Sequence, residues 1–122
     1  MRLRALILGL ALVPMATSAP AYFADFHEWE MTCEADSYSL SSVHPVLRLI
    51  ENGAGSRLSK GRETLTLDHD CTARHSVLGQ GKWCWANGGF FARFEDQSIN
   101  FGSHQELLCP EGEDTGFLGC RC

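Results

Sequence analysis

The sequence predicts a β-rich α+β fold: a small disulfide-stabilised antiparallel sheet or sandwich of about six short strands with one helix. Three observations point there. Six cysteines lie downstream of an apolar leader, as a disulfide framework requires. Short alternating runs of apolar and polar residues recur from Arg62 onward, separated by turn residues. One stretch, Ser42 to Gly53, carries apolar residues at helical spacing instead.

The first element is not part of the fold. Arg2 and Arg4 precede the apolar run Ala5 to Val13, which Pro14 ends, and Ala16-Thr17-Ser18-Ala19-Pro20-Ala21 follows. Charged head, apolar middle and small-residue tail are the parts of a secretory signal peptide. Ala19 and Ala21 form an Ala-x-Ala pair, so residues 1–21 are expected to be removed, leaving a single domain over 22–122. Cleavage after Ala19 is the alternative and puts Pro20 directly behind the cut. A membrane span needs about 20 apolar residues. The apolar run stops well short of that, and no later stretch is apolar enough, so no stable membrane insertion is expected.

Residues 26–35 alternate, with His27, Trp29, Met31 and Cys33 on one side and Glu28, Glu30, Thr32 and Glu34 on the other. That is a half-buried strand with an acidic outer face, ended at Asp36-Ser37. The helix comes next: Ser42 as cap, Pro45 in the first turn, Val43, Val46, Leu47 and Ile50 on one face, and Asn52-Gly53 as the stop. The rival reading is a strand, because Val46, Arg48 and Ile50 also alternate against Leu47 and Leu49. Gly53 to Gly61 reads as a polar loop.

The remaining elements are β. Thr64 to Leu67 alternates, and Lys82 to Ala86 leads into Asn87-Gly88-Gly89, a hairpin signal because Asn and Gly accept positive φ. Phe90 to Glu95, Ser98 to Phe101 and His104 to Cys109 follow, then an acidic loop from Pro110 to Gly116 and a last strand from Phe117 to Cys122.

Cys33, Cys71, Cys84, Cys109, Cys120 and Cys122 are expected to form three disulfides, with fifteen pairings open. Cys120 and Cys122, two residues apart, are expected to reach different partners. Zinc ligation is the rival reading, but the spacings are wide where zinc sites use close pairs. Without Arg2 and Arg4 the chain has 8 basic and 15 acidic residues, a net charge of −7 with neutral histidines. That repels nucleic-acid phosphates, so no nucleic-acid partner is expected.

Trp83, Trp85 and Phe91 head an aromatic cluster around the Asn87-Gly88-Gly89 turn and form the candidate binding surface; a core face is the competing role. Asp68-His69-Asp70 with His75 lacks any known ligand spacing, and no metal or cofactor is assigned. Gly-x-Ser-x-Gly, His-Glu-x-x-His and phosphate-loop motifs are missing, and no catalytic residue is assigned, although a pair such as His104 with Glu106 leaves a hydrolase open.

The leader from Arg2 to Ala21, the six cysteines from Cys33 to Cys122 and about 100 mature residues together resemble the small secreted cysteine-rich proteins of filamentous fungi. The resemblance is one of architecture and spans the chain. It implies an effector-like extracellular protein that acts by binding an extracellular or host protein or glycan. The chain departs from the basic toxin-like members in being acidic. The alternatives kept beside it are a carbohydrate-binding module and a small secreted hydrolase.

Overall fold

The computed structural model describes residues 11–14, 21–86, 88–102 and 119–122. These contain ten strands: β1 (Ala21–Ala24), β2 (His27–Cys33), β3 (Ser37–Ser42), β4 (Val46–Asn52), β5 (Gly55–Gly61), β6 (Thr64–Asp68), β7 (Thr72–His75), β8 (Gly79–Ala86), β9 (Gly89–Arg93) and β10 (Ser98–Phe101). Eight form one antiparallel sheet in the order β1-β2-β3-β6-β7-β8-β9-β10, and β10 returns beside β1, so the sheet is a nearly closed barrel. The β4–β5 hairpin is a separate two-stranded sheet inserted between neighbours β3 and β6.

The α+β expectation is therefore overturned. The fold is all-β, with no helix among the described residues. The predicted helix is β4, and the predicted polar loop after it is β5. The reason is visible at Arg48. A helical reading places arginine on a solvated face, yet Arg48 points inward with Val46 and Ile50 while Leu47 and Leu49 point out. Period two wins because the buried charge has a partner further along the chain. Serine-rich β3 and short β7 escape the sequence reading for a related reason. Their inward residues include Ser42, Ala73 and His75, which do not read as a hydrophobic stripe.

The strands called at 26–35, 64–67, 82–86, 90–95 and 98–101 correspond to β2, β6, β8, β9 and β10. The predicted strand over 104–109 and the acidic loop lie outside the described residues. The last predicted strand is described only over 119–122, where Arg121 forms a single parallel bridge with Trp85.

Pairing is in register, so one parity of residues fills the barrel. Tyr22 pairs with Trp29, Met31 with Leu40, Leu40 with Leu65, Tyr38 with Leu67, Leu67 with Ala73, Trp83 with Ala92 and Ala92 with Ile99. Trp83 sits against the small Ala92, while rings also pack on rings, with Phe90 stacked on Phe101 at 4.4 Å and Trp29 edge-on to Phe101 at 5.9 Å. Trp29, Leu40, Leu65, Leu67, Ile99 and Phe101 have no exposed surface. The interior is a packed core built as small barrels build theirs, from alternating large and small side chains.

Glycine is required where strand β8 passes β9. A Cβ at Gly81 would collide with the Arg93 carbonyl and come within 2.8 Å of the Phe94 ring. Gly81→Ala is expected to cost about 2 kcal/mol or more through overpacking against backbone. Urea denaturation beside Gly53→Ala checks this, since Gly53 has open space and an unremarkable φ.

Two disulfides tie the C-terminus down: Cys71–Cys120 and Cys84–Cys122. Cys120 and Cys122 thus take different partners, as their spacing anticipated. Trp85 N–H donates to the Cys120 carbonyl (2.8 Å) and Cys122 N–H to the Trp85 carbonyl (3.2 Å), covering the edge of β8 that β7 leaves free. Cys33 is also disulfide-bonded, and Cys109 lies outside the described residues. Disulfides in so small a domain are compatible with an extracellular protein. Among the described residues no helix is long and apolar enough to cross a membrane.

Candidate functional site

The end of the barrel spanned by the β4–β5 hairpin concentrates what the core does not explain. Beneath the hairpin lies a buried polar layer. Arg48 of β4 donates from Nε to Glu63 Oε2 (2.8 Å) and from Nη2 to Oε1 (2.7 Å), a two-pronged ion pair. Its Nη1 donates to Gln97 Oε1 (3.0 Å) and stands 3.8 Å from Asp25. Gln97 also donates from Nε2 to the Leu49 carbonyl (2.7 Å), fastening β4 to the β9–β10 connection. The Glu63 backbone N–H donates to Ser42 Oγ (2.9 Å).

Electrostatics here follow from burial against pairing. Burial pushes the Glu63 carboxyl up, but the hydrogen bonds from Arg48, with the His75 ring beside it, outweigh that and hold it at about 2. Arg48 is raised from its ordinary value by the same hydrogen bonds. His75 Nδ1 accepts from the N–H groups of Val77 and Leu78, both at 3.0 Å. That leaves the ring proton on Nε2, which is buried 3.6 Å from Glu63 Oε2, too far for a hydrogen bond. Each guanidinium nitrogen of Arg48 has a hydrogen-bond partner, and Glu63 and His75 have almost no exposed surface. The layer holds the hairpin on the barrel; Glu63 and His75 are closed off, and Arg48 and Gln97 reach the cleft above.

Above it is a cleft of about 280 Å³ lined by Asp25, His27, Leu47, Arg48, Leu49 and Gln97, among others. This is at the lower limit of small-molecule sites. It places His27 near Asp25, but Asp25 lies toward Arg48 and no hydrogen bond or ion pair joins it to His27. The arrangement lacks a coupled acid–base pair.

The rim is apolar. Asp25 and Phe26 form the two-residue β1–β2 turn with φ of +51° and +66°. Both central residues of such a turn need positive φ, which suits Asn or Gly and strains Phe by about 1 kcal/mol. Phe26 is nevertheless fully exposed at the tip (107%). On β4 and β5, Leu49 faces Leu58 and Leu47 faces Lys60 on the outer side of the hairpin. Leu47, Leu49 and Leu58 are 62%, 48% and 67% exposed, and Phe23 on β1 is exposed as well. Downstream of Ala21, all the large exposed apolar residues described belong to β1, its turn and the hairpin.

The aromatic cluster singled out from sequence sits elsewhere. Trp83 is in the core, its Nε1–H donating to the Asp68 carbonyl (2.8 Å). Trp85 is half-buried under the Arg121 guanidinium, 4.8 Å from its ring centre. Phe91 is half-buried with Arg93 at 5.7 Å. The three do not form a flat exposed row. Nor do the ligand candidates converge: His75 points into the core while His69 is exposed. Asp70 is held below the usual carboxylate range mainly by its hydrogen bond from the Thr72 N–H. His104 and Glu106 lie outside the described residues.

Phe26, Leu47, Leu49 and Leu58 were not singled out from sequence. The signal was the second alternating face of Val46–Ile50, apolar on both sides of one strand. Comparisons with protein-family models, curated proteins and solved structures return no match.

Proposed function

We propose that the mature domain is a secreted, non-enzymatic, effector-like binding protein that recognises an extracellular protein through the hairpin-bearing end of its barrel. The observation that carries this reading is that the large exposed apolar residues described after Ala21, Phe23, Phe26, Leu47, Leu49 and Leu58, all belong to β1, its turn and the hairpin. Asp25 of that turn lines one cleft with Leu47 and Leu49. A packed interior leaves binding to the outside. Exposed aromatics and leucines beside a polar cleft are the raw material of an interface anchor. The strained Phe26 turn adds weight, because a stability-optimised turn takes Gly there. Secretion is supported by the leader pattern and by oxidised cysteines. Cleavage after Ala21 leaves Tyr22, a core residue, as the first residue.

The test compares wild type with Phe26→Ser and Leu49→Ser/Leu58→Ser on an array of extracellular proteins and a glycan array. Loss of a protein signal by about 30-fold or more in either variant, with unchanged melting, is expected for interface anchors. A glycan signal that depends on Trp85 and ignores Phe26 would instead establish the carbohydrate-binding reading.

A further inference from the structure

The hairpin differs from the rest of the protein in charge. Between Val46 and Arg62 there are four basic residues, Arg48, Arg57, Lys60 and Arg62, and one acidic residue, Glu51. The rest of the chain after Ala21 has the other four basic residues and fourteen acidic ones. A segment of net +3 is thus carried by a body of net −10. Glu63 takes up Arg48, but Arg57, Lys60 and Arg62 are exposed and form no ion pair with the described residues. Among the described residues the hairpin also has an open edge. β5 pairs with β4 along its whole length, and among the described residues no strand lies on its other side.

We infer that β5 is a strand-addition site for an extended, acidic and apolar segment of a partner protein; this rests on the reading of the hairpin end as the binding surface. An unpaired edge supplies a row of backbone donors and acceptors. Leu58, with Leu49 beside it on the outer face, offers apolar contact to one row of the incoming strand's side chains. Arg57, on the opposite face across from Ile50, meets the carboxylates of the other row, and Lys60 on the outer face and Arg62 just beyond the strand add positive charge along the edge. The same cations turn away a second copy, which would bring a like-charged β5 to the edge. An anionic bilayer is the poorer partner, because the body that carries the hairpin has a net charge of −10 against the hairpin's +3.

The test uses the mature, oxidised protein and two synthetic probes: a short peptide alternating glutamate with leucine, and its lysine–leucine counterpart. Phosphatidylserine-containing vesicles and sedimentation of the protein alone are run beside them. The glutamate–leucine peptide is expected to bind, to protect β5 amides from hydrogen exchange, and to bind more weakly as salt rises. Arg57→Glu/Lys60→Glu is expected to weaken it about tenfold or more, and Arg57→Lys/Lys60→Arg to retain it. Equal binding of the lysine peptide, protection outside β5, preferential vesicle binding, self-association or no binding each overturns the inference. A protein partner lost with Phe26→Ser but indifferent to the charge reversal would sink strand addition alone and leave the binding end in place.

Discussion

Glu63→Gln is expected to lower the free energy of unfolding by about 3 kcal/mol, toward the lower end of what stranding one member of a buried ion pair costs. The substitution keeps the shape of the side chain and removes its charge. Arg48 then remains buried at 7% exposure, with a neutral amide in place of the carboxylate and Gln97 and the 3.8 Å contact to Asp25 as its other polar neighbours. The loss falls on one place, since Arg48 and Gln97 make the side-chain hydrogen bonds that join β4 to the barrel. Hydrogen exchange is therefore expected to show the hairpin opening before the eight-stranded sheet. Arg48→Met/Glu63→Leu removes both charges and is expected to recover most of the stability, because apolar replacement of a whole buried pair is close to neutral or better. If Glu63→Gln matches wild type in urea denaturation, the pair does not hold the hairpin.

The pH dependence has a definite sign. The folded Glu63 carboxyl at about 2 lies below its ordinary 4.5. The group therefore stabilises the fold fully above that ordinary value, and its contribution is lost as pH falls from about 4.5 toward 2. The wild type should lose stability through that window more steeply than Glu63→Gln, which has no proton to take up there. Thermal unfolding of both proteins across the acid range measures the difference.

Cys71→Ala/Cys120→Ala is expected to cost about 4 kcal/mol. The bridge closes a loop between residues 49 apart, and constraining the unfolded chain by a loop of that length is worth about this much. Cys120 is also in the core and its carbonyl receives the Trp85 N–H, so its release loosens the clamp over β8. Cys84→Ala/Cys122→Ala closes a shorter loop, 38 residues, and its Cys122 end is exposed, so a somewhat smaller loss is expected. Non-reducing urea denaturation of the two variants gives the order. A larger loss for the Cys84–Cys122 pair would mean that loop length and core burial do not rank the bridges.

Alternation was legible wherever the inward residues were plainly apolar. Trp29 and Met31, Leu65 and Leu67, Trp83 and the Phe90–Phe101 region mark β2, β6, β8, β9 and β10 by themselves. The short turn near Asn87-Gly88 was legible too, with Gly88 at φ +73° and Ala86 paired to Gly89. The cysteine pattern foretold oxidation, and the spacing of Cys120 and Cys122 foretold that they would diverge. These are local signals: they follow from which side chains avoid water and which residues accept an unusual φ.

What only the tertiary structure decided are the matters set by distant partners. Arg48 faces inward because Glu63, fifteen residues later, lies beneath it. The stretch is then a strand, and its leucines are left in solvent. Trp83 is core rather than surface because the eight-stranded sheet curls until β10 lies by β1 and one face of it is enclosed. Cys71 meets Cys120 because the C-terminus returns to the edge of β8. A hydrophobicity pattern records the preference of each side chain for water. It does not record which buried charge will find its counter-charge, and that compensation determined both the shape of this hairpin and the surface it presents.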